Sequence, residues 1–375
     1  MRGKVSRQLD AVALINLESL IPAKHPIRRI KQLVDAVLVE LEDEFEQMYA
    51  ELGRPSIPPE RLLKAKVLCA LYSVRSDRQF CERLRYDLLF QWFLDLNPSE
   101  GSFNASTFSK NADRLLHHHA SELFLLEVVE LARSHDWISD EHFSVDGTLI
   151  EAWASMKSFR PKDEKDDEGR GCGGGFADFK GEKRSNQTHE SKSDQEAKLL
   201  KKSAGSAAKL CFGAHAVMEN RHGLCVLFDV RSAVGKGCTE HEVALEQLDE
   251  LTMRGFDPRT VGADRGYHNQ QFVRACRERE IAPHVAQVKG RRTSGLDGRT
   301  TRHAGYRVSQ RIRKRIENLF GWIKTTGAFR KTRYRGVERT HFQAQLVAVT
   351  CNLVRMAKLL TDSTSDPPRS TLAAG

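Results

Sequence analysis

Apolar residues recur at helical spacing through the first third of the chain, then change to short, nearly continuous runs after about residue 140. Leu62, Leu63, Val67, Leu71 and Tyr72 fall on one side of a helix that Ser56-Ile57-Pro58-Pro59 would open, because proline suits a first helical turn. Ser76 is placed to cap a second helix carrying Phe80, Leu84, Leu88 and Phe93, and Ser106 to cap a third running from Phe108 to Leu116. Short helices with polar turns describe a helix-turn-helix DNA reader and any small helical bundle equally well. His117, His118 and His119 are neighbours on such a helix and point different ways, which favours a solvated or capping run over a metal site.

The second part alternates strands and helices. His142 to Thr148 and Thr260 to Tyr267 each read as a buried strand that ends in an acid beside glycine. Lys209–Glu219 and Leu224–Ser232 form a hairpin around Asn220-Arg221-His222-Gly223. Helices are predicted over Thr239–Met253, capped by Thr239, and Asn269–Glu280, with a strand over Ala282–Val288. A helix over 309–325 would align Ile312, Ile316, Leu319 and Ile323 as its core stripe. Trp322 and Phe329 read as core. The predicted organisation is a helical region over 1–136 and an α/β region over 137–360. A polar, Gly- and Ser-rich mobile insertion interrupts the latter at about 155–206, and 361–375 form a disordered tail.

Composition narrows the class. The 375 residues are 40% hydrophobic and 29% charged, an ordinary globular balance. No apolar run approaches the roughly 20 residues of a membrane span, and Met1 to Asp10 lack a signal-peptide core, so a cytosolic protein is expected. Eight cysteines include no Cys-x-x-Cys pair, so they read as small buried hydrophobes. Gly171–Gly175 lacks the Lys-Ser/Thr ending of a phosphate-binding loop. The charge is unevenly spread. Between Lys289 and Arg339 stand 16 Lys or Arg against three acids, a local +13 that exceeds the +9 of the whole chain. Such a concentration calls for a polyanion, with nucleic acid the default.

Glu317 sits inside that basic run, where a carboxylate repels phosphate unless a cation lies between them. Asp146 and Asp264, each at the end of an apolar run, are the carboxylates to join it. Three hard oxygen ligands suit Mg²⁺, with Mn²⁺ able to substitute, and two such ions serve phosphoryl transfer. On the predicted helix Arg313 and Lys324 lie at i−4 and i+7 from Glu317, as two phosphate-binding cations. Arg330, Lys331 and Arg333 form a strip suited to DNA backbone. The plainer alternatives are turn-capping aspartates, a solvated strip and an Arg313–Glu317 surface ion pair worth under ~1 kcal/mol. His215, His241 and Glu151 are weaker candidates, read first as structural or solvent-facing.

These residues carry a resemblance to DDE transposases of the insertion-sequence-five family. The stretch Val145–Asp163 (VDGTLIEAWASMKSFRPKD) resembles the first signature of that family, and Asp264-Arg265-Gly266-Tyr267 its D-x-G-Y second signature. Arg313, Glu317 and Lys324 fit a Tyr-Arg-Glu-Lys third signature in which Gln310 stands at the Tyr position. The likeness extends to Ala207–Asn220 and the N-terminal helices. It implies an RNase-H-like mixed-sheet core preceded by a helical DNA-binding region. It also implies Asp146, Asp264 and Glu317 as catalytic metal ligands, and double-stranded DNA, both element ends and target, as partner. A homo-oligomer on DNA and no small-molecule cofactor are expected. The implied activity is DNA cleavage followed by strand transfer. A nuclease without strand transfer, and an inactive or domesticated DNA-binding protein, are the rival readings.

Overall fold

Local capping sets the helices of the first part. The computed structural model describes residues 14–50, 52–53, 55–162, 184–201, 205–288 and 296–365. Its first helices are α1 (Leu17–Leu20), α2 (Pro26–Glu40), α3 (Glu42–Gln47), α4 (Pro59–Leu71), α5 (Asp77–Leu84), α6 (Leu88–Phe93), α7 (Ala105–His117) and α8 (Ala120–Ser134). Pro58 and Pro59 open α4, and Ser76 Oγ accepts the Gln79 N–H at 3.0 Å to start α5, as predicted. Two expectations change. Asp87 accepts the Leu89 and Phe90 N–H groups and so begins a separate helix, dividing the stripe from Phe80 to Phe93 between α5 and α6. Asn104, rather than Ser106, caps α7 by accepting from Ser106 and Thr107; both residue types cap well, and Asn104 comes first along the chain. His119 adopts a left-handed conformation (φ 52°) between α7 and α8, so the histidine run marks a helix junction.

A mixed sheet follows, built from β1 (His142–Glu151), β4 (Lys198–Leu200), β5 (Lys209–Glu219), β6 (Cys225–Ser232), β7 (Thr260–Ala263) and β8 (Ala282–Val285); β2 (Phe159–Pro161) and β3 (His189–Ser191) pair apart from it. Strand β1 is central. It runs antiparallel to β5, with Asp146 opposite Ala216, and parallel to β7 from His142↔Thr260 to Ser144↔Gly262. Strand β8 continues the parallel side, while β6 and β4 lie end to end along the outer edge of β5. Helix α9 (Glu240–Met253) covers one face of β1, reaching Gly147, and α13 (Arg315–Lys324) covers the other, reaching Thr148. This is the RNase-H-like plan. The connecting helices are α10 (Gln270–Glu278), α11 (Gly298–Thr301) and α12 (Ala304–Ile312).

Several boundaries differ from expectation. Strand β1 runs on to Glu151, so Asp146 is mid-strand rather than at its end; what ends near Asp146 is the pairing with β7. The stretch read as a loop contains β2, β3 and β4, and β4 joins the main sheet; the Gly-rich residues 163–183 lie outside the described residues, as do 289–295 of the basic region. The helix predicted over 309–325 is two helices, because Ile316 and Glu317 donate to the carbonyls of Arg313 and Lys314 in a tight turn. Ile316, Leu319 and Ile323 remain the buried stripe of α13, and Ile312 does not join them.

The last helix, α14 (Val337–Ser365), lies across β6 and packs against α2, α4 and α8. It extends into the segment expected to be a tail. Its Leu346, Val347, Leu353 and Met356 are buried, each worth about 1.5–3 kcal/mol when withdrawn from water. Asn352 clasps Cys225 on β6, accepting its N–H at 2.8 Å and donating to its carbonyl at 2.7 Å, and Ser121 of α8 donates to Gln345 at 2.7 Å. One apolar core therefore runs from Ile21 to Ala357, through both parts of the chain.

Candidate functional site

The parallel β1–β7 pair creates the site. Continuing its register two residues beyond Ser144↔Gly262 sets Asp146 level with Asp264, just past the carboxyl end of β7. That is the usual position for function in an open α/β sheet. Asp146 Oδ1 accepts its neighbour's amide, Gly147 N–H, at 2.8 Å. Asp264 Oδ1 accepts Gly266 N–H at 2.7 Å and so caps the single turn Arg265–Tyr267, which is anchored by fully buried Tyr267. Burial pushes the Asp146 carboxyl up to about 7; the Gly147 amide and Arg313 oppose the rise, while Asp264 and Glu240 add to it by repulsion.

Helix α13 lies along β1 on the Asp146 face. Just before it, Arg313 Cβ lies 3.3 Å from where a Cβ on Gly262 would stand, so the bare glycine admits the close approach. At its other end Lys324 donates to Thr148 Oγ1. The contacts at Gly262, beside Ser144, and at Thr148 thus bracket Asp146, with Glu317 between them on α13. The span suits both elements: ten helical residues cover about 15 Å and four strand residues about 13 Å. Glu317 is exposed in the first turn of α13, and no hydrogen bond or ion pair ties it to either aspartate among the described residues. Nor do any three acidic, histidine or cysteine side chains among those residues stand close enough together to hold a metal ion. The structure thus brings Asp146 and Asp264 together and leaves Glu317 nearby but apart.

The basic strip comes next along the chain. Glu151 N–H donates to the Arg330 carbonyl at 3.1 Å and Thr332 N–H to the Glu151 carbonyl at 2.8 Å, which fastens 330–332 to the end of β1. Arg330, Lys331 and Arg333 are exposed around buried Thr332, and Lys331 Nζ lies 5.6 Å over the ring of Trp153. Arg313 and Lys324, by contrast, are half-buried and already bonded, Arg313 Nε to Gln310 Oε1 at 3.0 Å.

Residues 139–353 match the family described as Transposase DDE domain, more than half of the chain. The chain is a DDE transposase. Residues 15–114 match the family described as Transposase domain (DUF772). No curated protein sequence matches. Among solved structures, the cryo-EM structure of the piggyBac transposase synaptic complex with hairpin DNA is similar, at 7% identity and a TM-score of 0.42, covering 92% of this chain and 77% of that one.

Gln310 has a clear place in this transposase. Its Nε2 donates to the His284 carbonyl on β8 while its Oε1 holds Arg313, so it ties α12 to the sheet. His241 Nε2 lies 2.8 Å from the Gly266 carbonyl and its ring meets Tyr267 edge-on, which puts it at the Asp264 turn. His215 pairs across from Gly147 on β5, is buried, and is held down to about 4 by that burial. Glu151 is occupied by Lys209 at the far end of β1. The acid that the sequence analysis missed is Glu240, the first residue of α9, which lies against Gly147 and raises the Asp146 carboxyl. Thr239 marked the start of that helix, yet no local signal says that the start lies over β1. Among the described residues no helix is long and apolar enough to cross a membrane.

Proposed function

We propose that this transposase binds the ends of its own mobile element, cuts the DNA there and joins the freed ends to target DNA, with Asp146, Asp264 and Glu317 as its catalytic carboxylates. The observation that carries this reading is the side-by-side placement of Asp146 and Asp264 at the carboxyl end of β7, beneath a helix from the most basic part of the chain. DDE transposases generally use a divalent metal, and the paired carboxylates of Asp146 and Asp264 are hard oxygen donors of the kind one takes. Two adjacent aspartates, one of them resisting ionisation, are stabilised as carboxylates when a divalent cation shares them. Asp146, Asp264 and Glu317 would hold Mg²⁺, as two ions, or Mn²⁺ in its place; a bound cation acidifies the attacking water and offsets charge growing on the phosphate.

The chain's own groups supply the rest. Arg313, pinned by Gln310, and Lys324, pinned by Thr148, put fixed positive charge on either side of Asp146, where a scissile phosphate needs it. The exposed Arg330, Lys331 and Arg333 hold backbone to one side, in sequence-independent fashion. The N-terminal region, 1–136, reads the element ends.

Asp146→Asn, Asp264→Asn and Glu317→Gln test the assignment on duplexes carrying the element ends. Each is expected to lose cleavage on the order of a thousandfold, since several kcal/mol of charge stabilisation vanish, while DNA binding persists. Joined products with the wild-type protein separate the reading from a nuclease. Binding without cleavage in Mg²⁺ or Mn²⁺ would instead mark an inactive DNA-binding protein. Normal cleavage by Glu317→Gln would remove that residue from the site.

A further inference from the structure

We propose that α5 is the helix with which this transposase reads its element ends, laying the face of Arg75, Arg78, Gln79, Glu82, Arg85 and Tyr86 in the major groove of duplex DNA. The inference rests on the proposed reading of 1–136 as the part that recognises those ends. Residues 78, 79 and 82 share one helical face at three- and four-residue spacing, which Arg85 and Tyr86 continue just past the last turn. Arg75 stands immediately before the cap, Ser76. All six are exposed, Tyr86 to 69%. On the inner side Phe80, Cys81 and Leu84 are buried, which holds the outer face in place.

Charge sets α5 apart within the helical region. Its outer face carries three arginines against Glu82, and among the described residues no hydrogen bond or ion pair engages those side chains. The other ionised groups of α5 are already taken. Asp77 accepts from Lys66 at 2.9 Å and from Ser109 at 3.1 Å, while Arg83 donates to Asp87 at 2.8 Å and lies 4.3 Å over the ring of Phe90. Helix α3 turns Glu42, Asp43 and Glu46 outward, which repels phosphate, and α4 and α6 are largely buried.

The composition of the face points to bases as well as phosphates. Arg78 matches the O6 and N7 of guanine with paired donors, Gln79 the N7 and amino group of adenine, and Glu82 the amino group of cytosine, all in the major groove. Arg75 and Arg85, at the two ends of the face, suit phosphates. Helix α5 is also fixed toward the catalytic part. Ser73 Oγ, in the turn before it, donates at 2.6 Å to the carbonyl of Thr326, which lies between α13 and the strip of Arg330, Lys331 and Arg333. Both surfaces carry the same sign, as one length of DNA requires.

The test measures binding of the full-length protein to a duplex carrying an element end and to a random duplex of equal length, at one salt concentration, with circular dichroism melts of every variant. Arg78→Ala with Gln79→Ala is expected to lose end binding about a hundredfold and random binding no more than about threefold, with melts unchanged. Arg78→Lys keeps the charge and loses the paired donors, so about a tenfold loss on the end alone is expected. Arg75→Ala with Arg85→Ala should weaken both duplexes alike. Methylation of guanine N7 in the end duplex should cost the wild type affinity and leave Arg78→Ala unmoved; equal sensitivity in both takes Arg78 out of the major groove. Wild-type protein that does not tell the two duplexes apart overturns the reading of 1–136. Discrimination that survives in Arg78→Ala with Gln79→Ala overturns the assignment to α5 alone. Equal losses on both duplexes in that variant make α5 a backbone contact and overturn its part in reading bases.

Discussion

Lys66 shows how one residue can join two parts of the chain. It is 2% exposed yet charged, donating to Asp77 at 2.9 Å and lying 4.8 Å over the ring of Phe108. Burial works against its charge, but Tyr334 and Asp77 more than reverse this and hold it protonated. Burial likewise pushes Asp77 up, and Lys66, Ser109 and Arg333 outweigh it, so the carboxyl lies below its ordinary value. The sign follows. Asp77 contributes stability above its unfolded pKa of about 3.9, and that contribution is lost as pH falls through the lower folded value. Lys66→Met is expected to cost on the order of 3 kcal/mol at pH 7 by stranding Asp77, and to lose less than wild type does on acidification. Urea melts at pH 7 and pH 3 measure both, and equal stability at pH 7 would show the pair to be neutral. Nothing in Ala65-Lys66-Val67 announces a buried lysine, since its partners come from α5, α7 and the strip after α13. Ser76 and Thr239, in contrast, were legible as caps because capping is decided within three residues. Glu240 was not, because its meaning depends on which strand its helix covers.

At the scale of elements, periodicity identified most strands of the main sheet and several helices, did not single out α2 or α8, and misjudged where elements stop. The turn between α12 and α13 comes from distant partners: Gln310 is tied to the His284 carbonyl and Arg313 rests on Gly262. The strip 330–335 was legible as charge but not as a piece of chain stitched to the end of β1 by Glu151. That attachment gives Arg330, Lys331 and Arg333 a fixed direction, so they act as a unit. Replacing all three by Ala is expected to weaken binding equally on specific and random DNA. The dependence of log affinity on log salt should become shallower by about 2.7, at roughly 0.9 per phosphate contact. Titrations across a salt series check this, and an unchanged slope would take the strip out of the interface.

For the whole molecule, charge and the three signatures pointed to the chemistry, while the sheet order, with β1 between β5 and β7, had to be seen. Pairing partners lie far apart in sequence, and no local pattern ranks them. Least legible was α14, whose apolar face meets α2, α4 and α8 as well as β6. A fragment starting at residue 137 would expose that face. It is expected to aggregate, or to melt without the single sharp transition of the full chain, in calorimetry and light scattering. A monodisperse, cooperatively melting fragment would show that the helices add little to the fold of the sheet.

The same helix has a bearing on what becomes of damaged copies of the gene. A stop codon or frameshift anywhere ahead of Val337 deletes α14, and with it the surface on which α2, α4 and α8 close. Such a copy is expected to leave no stably folded helical remnant, so its truncated product should be found aggregated or degraded rather than as folded protein.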